Sequence, residues 1–187
     1  MRAGQPKGEP KLKGFQGIYG SAVNNAIYNS FKRFSSEMKP SYDEKDLKIL
    51  RILQENGRAS YSEISKKIGI SEAAVYTRVQ KMIKSGLIKK FQAILDPEKL
   101  GFSLTALVAV SAHPKKYDEV LRELSQIREA QEVYDVTGDY YCLLKLRVSD
   151  RETLTKILDE IGSLEGVVST ETRIVLRTVK ETHELPL

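Results

Sequence analysis

Two helical segments separated by a very short turn constrain this chain more than any other feature of its sequence. Ser60 and Glu63 form a capping box at the start of one short helix, which Gly69 ends. Ser71 can cap the next helix at once, and that helix continues with apolar residues at helical spacing until Gly86. Because the turn is so short, the second helix is held at a fixed angle to the first, as in a helix-turn-helix.

A preceding helix is predicted to complete a three-helix unit. Ser41 with Glu44 has the pattern of a capping box, and Gly57 is a candidate C-terminal stop. The last of the three helices is predicted to turn five residues towards a shared core: Ala74, Val75, Val79, Met82 and Ile83. After it, the alternation from Leu87 to Leu95 predicts a strand, so the unit is interpreted as a winged helix-turn-helix domain.

Residues 104–179 are predicted to repeat a strand-helix-strand unit twice. The two predicted helices share one apolar spacing, beginning at Tyr117 and at Leu154, and Ser149 with Glu152 has the pattern of a capping box before the second. The four predicted strands span residues 104–111, 131–137, 141–148 and 169–179. This order is the βαββαβ ferredoxin-like pattern, and the chain is predicted to belong to the α+β class.

The predicted organisation has five parts. Glycines punctuate the first of them, in which no helical or alternating period is sustained, and Met38 is a candidate native start. The parts are a basic, mostly disordered arm at 1–40, the helix-turn-helix domain at 41–95, a hinge at 96–103, the ferredoxin-like domain at 104–180 and a tail at 181–187.

Charge is distributed unevenly between the two predicted domains. Residues 58–92 contain eight Lys or Arg and two Glu, a net charge of +6, whereas residues 96–187 contain 12 Lys or Arg and 17 Asp or Glu, a net charge of −5. This asymmetry is expected when one part of a chain meets a polyanion and the other part has a different role. A solvated basic surface would give the same numbers, so charge alone leaves both interpretations open.

Few residues could support other kinds of chemistry. The single cysteine, Cys142, excludes an intramolecular disulfide framework and a multi-cysteine zinc site, so neither metal nor cofactor is expected. No secretory signal and no apolar run near the roughly 20 residues of a membrane span are found, which predicts a cytoplasmic protein without a membrane partner.

The start of the third predicted helix is placed to reach base edges in the major groove of double-stranded DNA. Its exposed positions are predicted to be Ser71, Glu72, Tyr76, Thr77, Arg78, Gln80 and Lys81. Of these, Thr77, Arg78 and Gln80 have side chains suited to hydrogen bonds with bases or phosphates. Five lysines are expected to clamp the phosphate backbone: Lys66, Lys67, Lys84, Lys89 and Lys90. An ordinary three-helix bundle with a basic surface is the alternative.

Two segments carry a resemblance to a known family. The first is DEKDLKILRILQENGRASYSEISKKIGISEAAVYTRVQKMIKSGLIKKFQAILDPEKLG, which is similar to the N-terminal half of the leucine-responsive/asparagine-operon (Lrp/AsnC) regulators. The second is DVTGDYYCLLKLRV, and the whole similarity covers about residues 42–180. The resemblance implies that residues 104–180 sense a ligand and mediate assembly. It also implies dimers, often assembled into tetramers or octamers, and regulation by amino acids.

The resemblance implies that the turn between the two middle strands lines a cleft at the contact between dimers, where an amino acid or a related small molecule binds between subunits. Gly138 would leave backbone amides open to an α-carboxylate, and Asp139 could hold an α-ammonium group. Tyr141 stands where many family members have a second aspartate. The candidate effector-binding residues are Thr137, Gly138, Asp139, Tyr140, Tyr141, Thr170 and Thr172. The alternative is a plain tight hairpin in which Asp139 bonds its own backbone.

A four-stranded sheet with helices on one face leaves its other face to be covered. Two alternating sets in the first predicted strand could lie on that face: Thr105, Leu107 and Ala109, or Ala106, Val108 and Val110. Two such sheets can bury each other's open faces, which predicts a homodimer with two DNA-binding domains, one reading head from each subunit. Such a dimer would bind a pseudo-palindromic operator with half-sites separated by about one helical turn or a multiple of it.

No catalytic residue is predicted. His113 and His183 have no cysteine or carboxylate at ligand spacing, and Cys142 lies within an apolar strand. Two alternative functions stay open at this point. One is a tetrapyrrole (sirohaem-type) decarboxylase of related fold, which would need histidine or arginine in its central cleft. The other is an amino-acid sensor that does not bind DNA.

Overall fold

The computed structural model describes residues 42–187. They divide into two compact units, the first extending to Lys90 and the second running from Phe91 to Pro186. The predicted arm at 1–40, Met38 and the predicted cap Ser41 lie outside the described residues. No helix within residues 42–187 is both long enough and apolar enough to cross a membrane.

The first unit is a bundle of three helices. Helix α1 spans Glu44–Glu55, α2 spans Tyr61–Ile68 and α3 spans Glu72–Lys84. Each amphipathic helix buries its apolar stripe against the other two, because none can bury it alone. The side chains at the centre of this core are Ile49, Ile64, Val75, Val79 and Met82. Two residues predicted to lie in this core are more accessible: Ala74 is half-buried and Ile83 is exposed.

The start of α1 differs from the prediction. Asp43 caps the helix by accepting the backbone N–H of Asp46 at 2.9 Å, and the carboxylate of Asp46 accepts the N–H of Asp43 at 2.9 Å. This reciprocal capping box satisfies two backbone donors at the helix start. The box predicted from Ser41 and Glu44 is therefore replaced by one that starts two residues later.

The strand predicted from Leu87 to Leu95 is absent. Residues 87–96 have no strand partner among the described residues, and most of their apolar side chains are exposed. A strand needs a neighbour to accept its backbone hydrogen bonds, which alternation of side chains does not supply. Ile88 is the exception, because it packs against the three-helix core.

The second unit is a four-stranded antiparallel sheet with two helices. Its elements are β1 (Leu104–Ala112), α4 (Tyr117–Leu124), β2 (Ala130–Asp135), β3 (Cys142–Val148), α5 (Arg151–Ser163) and β4 (Val167–Ile174). The strands lie in the order β2-β3-β1-β4, with both β1 and β3 in the centre. This arrangement confirms the predicted βαββαβ ferredoxin-like topology. A short 3₁₀ helix, Glu98–Leu100, precedes the unit's first strand.

The two faces of the sheet differ. The helix-covered face is lined by buried residues of the central strands, and these pack against α4 and α5: Ala106, Val108, Val110, Cys142, Leu144 and Leu146. The opposite face, here called the open face, carries the alternate residues: Leu107, Ala109, Leu143, Lys145, Arg147, Glu171 and Arg173. Of the two sets considered for β1, Ala106, Val108 and Val110 therefore lie against the helices.

Most strand boundaries in this unit differ from the prediction by one or two residues, and three features depart from it more clearly. The apolar spacing that begins at Tyr117 continues to Ile127, but helix α4 ends at Leu124, and Ile127 packs on the core from beyond the helix. Strand β4 ends at Ile174 rather than at Val179. Its partner β1 begins at Leu104, so only Thr105 and Leu104 lie beyond the Ala106–Ile174 pair, too few to match a strand that continued to Val179. Helix α5 is capped by Asp150 rather than by a box of Ser149 and Glu152.

The Asp150 cap makes the stability of this unit depend on pH. Its carboxylate accepts the Ser149 hydroxyl at 2.6 Å and the Thr153 backbone N–H at 2.8 Å. These bonds, the Ser149 bond first, lower the pKa of Asp150 from 3.8 to about 2. Because the folded-state pKa is the lower one, the charged cap stabilises the fold above pH 3.8, and this stabilisation is lost as the pH falls towards 2.

We expect Asp150→Ala to lower the urea midpoint of unfolding at neutral pH, and the difference from the unmodified protein to narrow on acidification through that window. Circular dichroism at a series of pH values measures both. Asp159→Ala is the matched control, because Asp159 is exposed in the middle of the same helix. A difference that stays constant down to pH 2 would contradict the role assigned to the carboxylate.

Candidate nucleic-acid interface and effector loop

The turn between α2 and α3 fixes the orientation of α3. Gly69 ends α2 in a left-handed conformation with φ of 71°, which glycine adopts without steric cost, and its N–H donates to the Ser65 carbonyl at 2.9 Å. Two residues later, the Ser71 hydroxyl caps α3 by accepting the Ala74 N–H at 3.2 Å. The helix-turn-helix predicted from the sequence is therefore built from Gly69 and Ser71, as expected.

One surface of α3 faces away from the core. Helical spacing places positions 73, 77, 80 and 84 along a strip opposite the buried Val75 and Val79. Ala73, Thr77 and Lys84 are exposed there and Gln80 is half-buried. We call these four residues the α3 strip. Its first residue, Ala73, is small enough to let the helix approach a groove closely.

Several of the predicted residues, within the strip and beside it, also make contacts inside the three-helix unit. Tyr76 is half-exposed and its ring stands edge-on to Tyr61 of α2, with centroids 5.8 Å apart. The hydroxyl of Thr77 donates to the Ala73 carbonyl at 2.9 Å. Glu72 and Lys81 are exposed. Ser71, already used as the cap, contributes to the start of the helix.

The lysines expected to clamp a phosphate backbone are accessible. Lys66, Lys67, Lys84, Lys89 and Lys90 are all exposed, as is Lys81. None of them takes part in an ion pair with another residue of the described chain. Their charges are therefore available to an external anion.

Arg78 is placed differently from its neighbours on α3. Its Nη1 lies 2.7 Å from an oxygen of Asp43 and 2.8 Å from an oxygen of Asp46, the two residues of the α1 capping box. The hydrogen bonds that Arg78 donates to Asp46 and then to Asp43 raise the pKa of Arg78. The N–H of Asp46, followed by Arg78, lowers the pKa of Asp43. The guanidinium thus faces α1, not the α3 strip.

The loop between β2 and β3 contains most of the predicted effector residues. The Val136 N–H donates to the Tyr141 carbonyl at 2.9 Å, and the Tyr141 N–H donates to the Val110 carbonyl at 3.1 Å. Gly138, with φ of 129°, lies at the exposed tip between Thr137 and Asp139, which are also exposed. The positive φ is one that other residues rarely adopt, which explains the glycine.

Tyr140 and Tyr141 turn to opposite faces of the sheet. The Tyr140 hydroxyl bonds to Glu171 on the open face, and this bond raises the pKa of Tyr140. Tyr141 instead stands edge-on to Tyr117 of α4, with ring centroids 5.2 Å apart. Tyr117 in turn donates to Asp135, and burial followed by this bond raises the pKa of Tyr117. The loop is therefore tied to both faces.

The two threonines proposed for the effector site lie on the other side of the sheet from Tyr140. Thr170 pairs with Val110 and Thr172 with Val108, so both share the helix-covered face. Glu171, between them, is the β4 residue that meets the loop. The structure therefore does not bring Thr170 and Thr172 together with the hydroxyl end of Tyr140.

Sequence reasoning missed three groups of charged residues in these regions. Asp43 and Asp46 hold Arg78, Glu171 holds Tyr140, and Glu181 of the tail pairs with Lys145 and Arg147 on the open face. Only the first group had a local signal, since aspartates three residues apart at a helix start can cap it. The other contacts join residues more than 30 positions apart. Within residues 42–187, no group of three His, Cys, Asp or Glu could hold a metal ion.

Comparison with known protein families accounts for both units. The winged helix-turn-helix DNA-binding family matches residues 42–89, and the Lrp/AsnC ligand binding domain matches residues 105–185.

Full-length relatives show the same combination. The chain is 47% identical over 150 residues to the HTH-type transcriptional regulator FL11 of Pyrococcus horikoshii, covering 80% of this chain and 99% of the relative. It is 42% identical over 150 residues to the Pyrococcus furiosus protein of the same name, again covering 80% of this chain and 99% of the relative. These relatives are named as regulators rather than as enzymes.

Solved structures share the fold. A transcriptional regulator of Neisseria meningitidis, solved as an L-methionine complex, matches with a TM-score of 0.74 and 29% identity, covering 78% of this chain and 97% of that one. Escherichia coli AsnC matches with a TM-score of 0.71 and 29% identity, and the match covers 75% of this chain and 95% of AsnC. Neither the decarboxylase nor the DNA-independent sensor is supported by these matches. With both of its units and its full-length relatives in agreement, the chain belongs to the Lrp/AsnC family and is a DNA-binding transcriptional regulator.

Proposed function

We propose that this regulator reads its operator with the α3 strip, Ala73, Thr77, Gln80 and Lys84, inserted into the major groove. The observation that carries the proposal is that this strip lies opposite the buried side of α3, and that the exposed lysines of α2, of α3 and of the segment after α3 form no ion pair within the described chain. Thr77 and Gln80 can exchange hydrogen bonds with base edges, and Tyr76 and Lys81 border them. Ser71 and Glu72 lie at the helix start, which enters the groove first.

Lysines supply affinity rather than sequence preference. Lys84 at the end of the α3 strip, together with Lys66, Lys67, Lys89 and Lys90 outside it, would neutralise phosphates and release bound counterions. The proposed place of action is the cytoplasm, where the DNA partner of such a regulator lies.

We expect Lys89→Ala to weaken binding to operator and to unrelated DNA by the same factor. Losing one phosphate contact should flatten the slope of log K against log salt by about 0.9. Fluorescence anisotropy at several salt concentrations measures both quantities. Lys115→Ala, which removes one exposed charge from the second unit, is the control and should leave the slope unchanged. A loss confined to the operator would instead assign Lys89 to base recognition.

The open face of the sheet is the proposed surface for pairing two copies. At its centre Leu107, Ala109 and Leu143 are apolar, and charged side chains of both signs lie around them: Lys145, Arg147, Arg173 and Glu171. A two-fold axis places the same surface on both partners, so a surface carrying both signs of charge can complement itself. The resulting homodimer presents two α3 helices to a pseudo-palindromic operator. Further assembly into tetramers or octamers is proposed from the family resemblance.

An amino acid is the proposed effector, bound at the β2–β3 loop. The exposed loop tip, Thr137 to Asp139, offers a carboxylate and a glycine backbone, which are the groups that recognise an α-ammonium and an α-carboxylate. Tyr140 and Tyr141 border the tip, whereas Thr170 and Thr172 would contribute only from the far side of β4. Two solved relatives carry L-methionine in their descriptions, so methionine is the first amino acid to test.

Selection of bound duplexes from a random DNA pool tests these proposals together. The expected product is a pseudo-palindrome whose half-sites lie about one helical turn apart or a multiple of it. Repeating the selection with each amino acid present should change the bound fraction or the spacing for the true effector. Enrichment of an asymmetric, single half-site would contradict the dimer, and an unchanged outcome with every amino acid would contradict the effector.

A further inference from the structure

The contact between α1 and α3 is of a different kind from the apolar core below it. Arg78 Nη1 reaches Asp43 and Asp46 at 2.7 and 2.8 Å, so one nitrogen is shared by two carboxylates. The Asp46 side chain is 8% exposed and Arg78 is 30% exposed. Partly buried, charge-assisted bonds of this length hold a defined geometry, because either partner would be left unpaired on separation.

The charge around Arg78 opposes contact with a phosphate. One guanidinium beside the two carboxylates of Asp43 and Asp46 leaves a net negative charge at this flank of α3. A phosphate approaching Arg78 would meet these carboxylates at short range. The α3 strip, by contrast, turns away from α1 and towards solvent.

We propose that Arg78 is a positioning residue, which fixes the angle of α3 through Asp43 and Asp46 and does not itself touch DNA. The proposal rests on the DNA-binding role of the chain. It revises the sequence-based assignment of Arg78 to base or phosphate recognition. Groove readout needs side chains held within fractions of an ångström, so loss of this anchor should reduce discrimination between sequences before it reduces attraction to DNA.

Asp46→Asn and Arg78→Ala, alone and combined, test the proposal in the full-length protein. Each single variant should weaken binding to the selected operator by about tenfold, within the coupling range of neighbouring residues. Binding to an unrelated duplex and the salt slope should stay as in the unmodified protein. The double variant should bind the operator no more weakly than the weaker single variant, because both changes break one network.

Asp46→Asn is the deciding variant. It changes one carboxylate oxygen for an amide and keeps an acceptor for the Asp43 N–H, so α1 keeps its cap. If Arg78 contacted DNA, removal of a nearby negative charge would leave binding unchanged or strengthen it, and that result would overturn the proposal. A salt slope flatter by about 0.9 in Arg78→Ala would also overturn it, since that is the signature of a lost phosphate contact.

Two controls allow the results to be interpreted. Lys89→Ala gives, in the same assay, the change in affinity and in salt slope that the loss of one phosphate contact produces. Thermal unfolding by circular dichroism establishes that each variant is folded at the assay temperature, and if Arg78→Ala is not, Asp46→Asn alone decides. Failure of the unmodified protein to bind any duplex would refute the DNA-binding function itself, whereas operator binding that survives Asp46→Asn refutes only the positioning role.

Discussion

Replacing Ile64 by alanine is expected to lower the free energy of unfolding of the three-helix unit by about 2–5 kcal/mol. Ile64 is fully buried and is the one completely buried residue of α2. It packs in the core that α1 and α3 complete, so truncation leaves a cavity that two rigid neighbours cannot easily fill. Since whole domains are stable by only about 5–15 kcal/mol, this loss is large enough to melt the unit on moderate heating.

Chemical denaturation, followed by the ellipticity of the helices, measures the loss of unfolding free energy. Operator binding is measured separately at increasing temperature. Ile83→Ala is the matched control, because Ile83 has the same side chain in the same unit but is 39% exposed. It should cost less than about 1 kcal/mol. If Ile64→Ala also lowered the free energy of unfolding by less than about 1 kcal/mol, α2 would be held in place by other contacts.

Leu143→Asp is expected to convert the proposed homodimer into a monomer and to weaken operator binding by about 100-fold or more, because two linked reading heads gain affinity by avidity. Leu143 lies on the open face between Ala109 and Tyr134, so the dimer would bury the new carboxylate among the apolar side chains at the centre of that face, where desolvation of a charge is costly. In the isolated subunit the same carboxylate would face solvent, and Leu144 and Leu146 on the helix-covered face are untouched.

Light scattering after size-exclusion chromatography gives the mass of this variant, and anisotropy gives its affinity for the full operator and for one half-site. The half-site affinity should change little. Thr155→Asp places the same charge on the outer surface of α5 and should remain dimeric. A Leu143→Asp protein that stays dimeric would move the interface away from the open face.

Elements with strong local signals were predictable from the sequence. The Ser60 cap, the left-handed Gly69 and the Ser71 cap lie within twelve residues of one another and define α2 and the start of α3 without outside help. The central strands were equally clear, since apolar residues occupy both faces of β1 and most of β3. The fold class therefore followed from short-range patterns.

Features that depend on a distant partner were not predictable in this way. Strand β4 was extended too far because Val175 to Val179 look like a strand, yet the last bond to β1 joins the Val175 N–H to the Thr105 carbonyl at 2.9 Å. The Leu87 to Leu95 strand failed for the same reason. Arg78 was assigned to DNA contact from its position on α3. Nothing in the sequence around Arg78 shows that the start of α1, more than 30 residues earlier, packs against it.

The effector residues illustrate a limit of a different sort. Alternation along β4 separates Thr170 and Thr172 from Glu171, but only the pairing with β1 shows which set faces the loop. Cross-strand register therefore decides which candidates can act together. The loop tip itself, Thr137 to Asp139, remains where the resemblance placed it, and its ligand is still a proposal.

The buried Cys142 has a practical consequence for spectroscopy. It is the chain's only cysteine, it lies at the start of β3 against the core, and burial raises the pKa of its thiol to about 11. Little thiolate exists at neutral pH, so maleimide reagents will find it a poor target. A cysteine introduced at an exposed site can thus carry a fluorophore or spin label selectively, without first removing the native one. Distances between reading heads could then be followed as ligand is added.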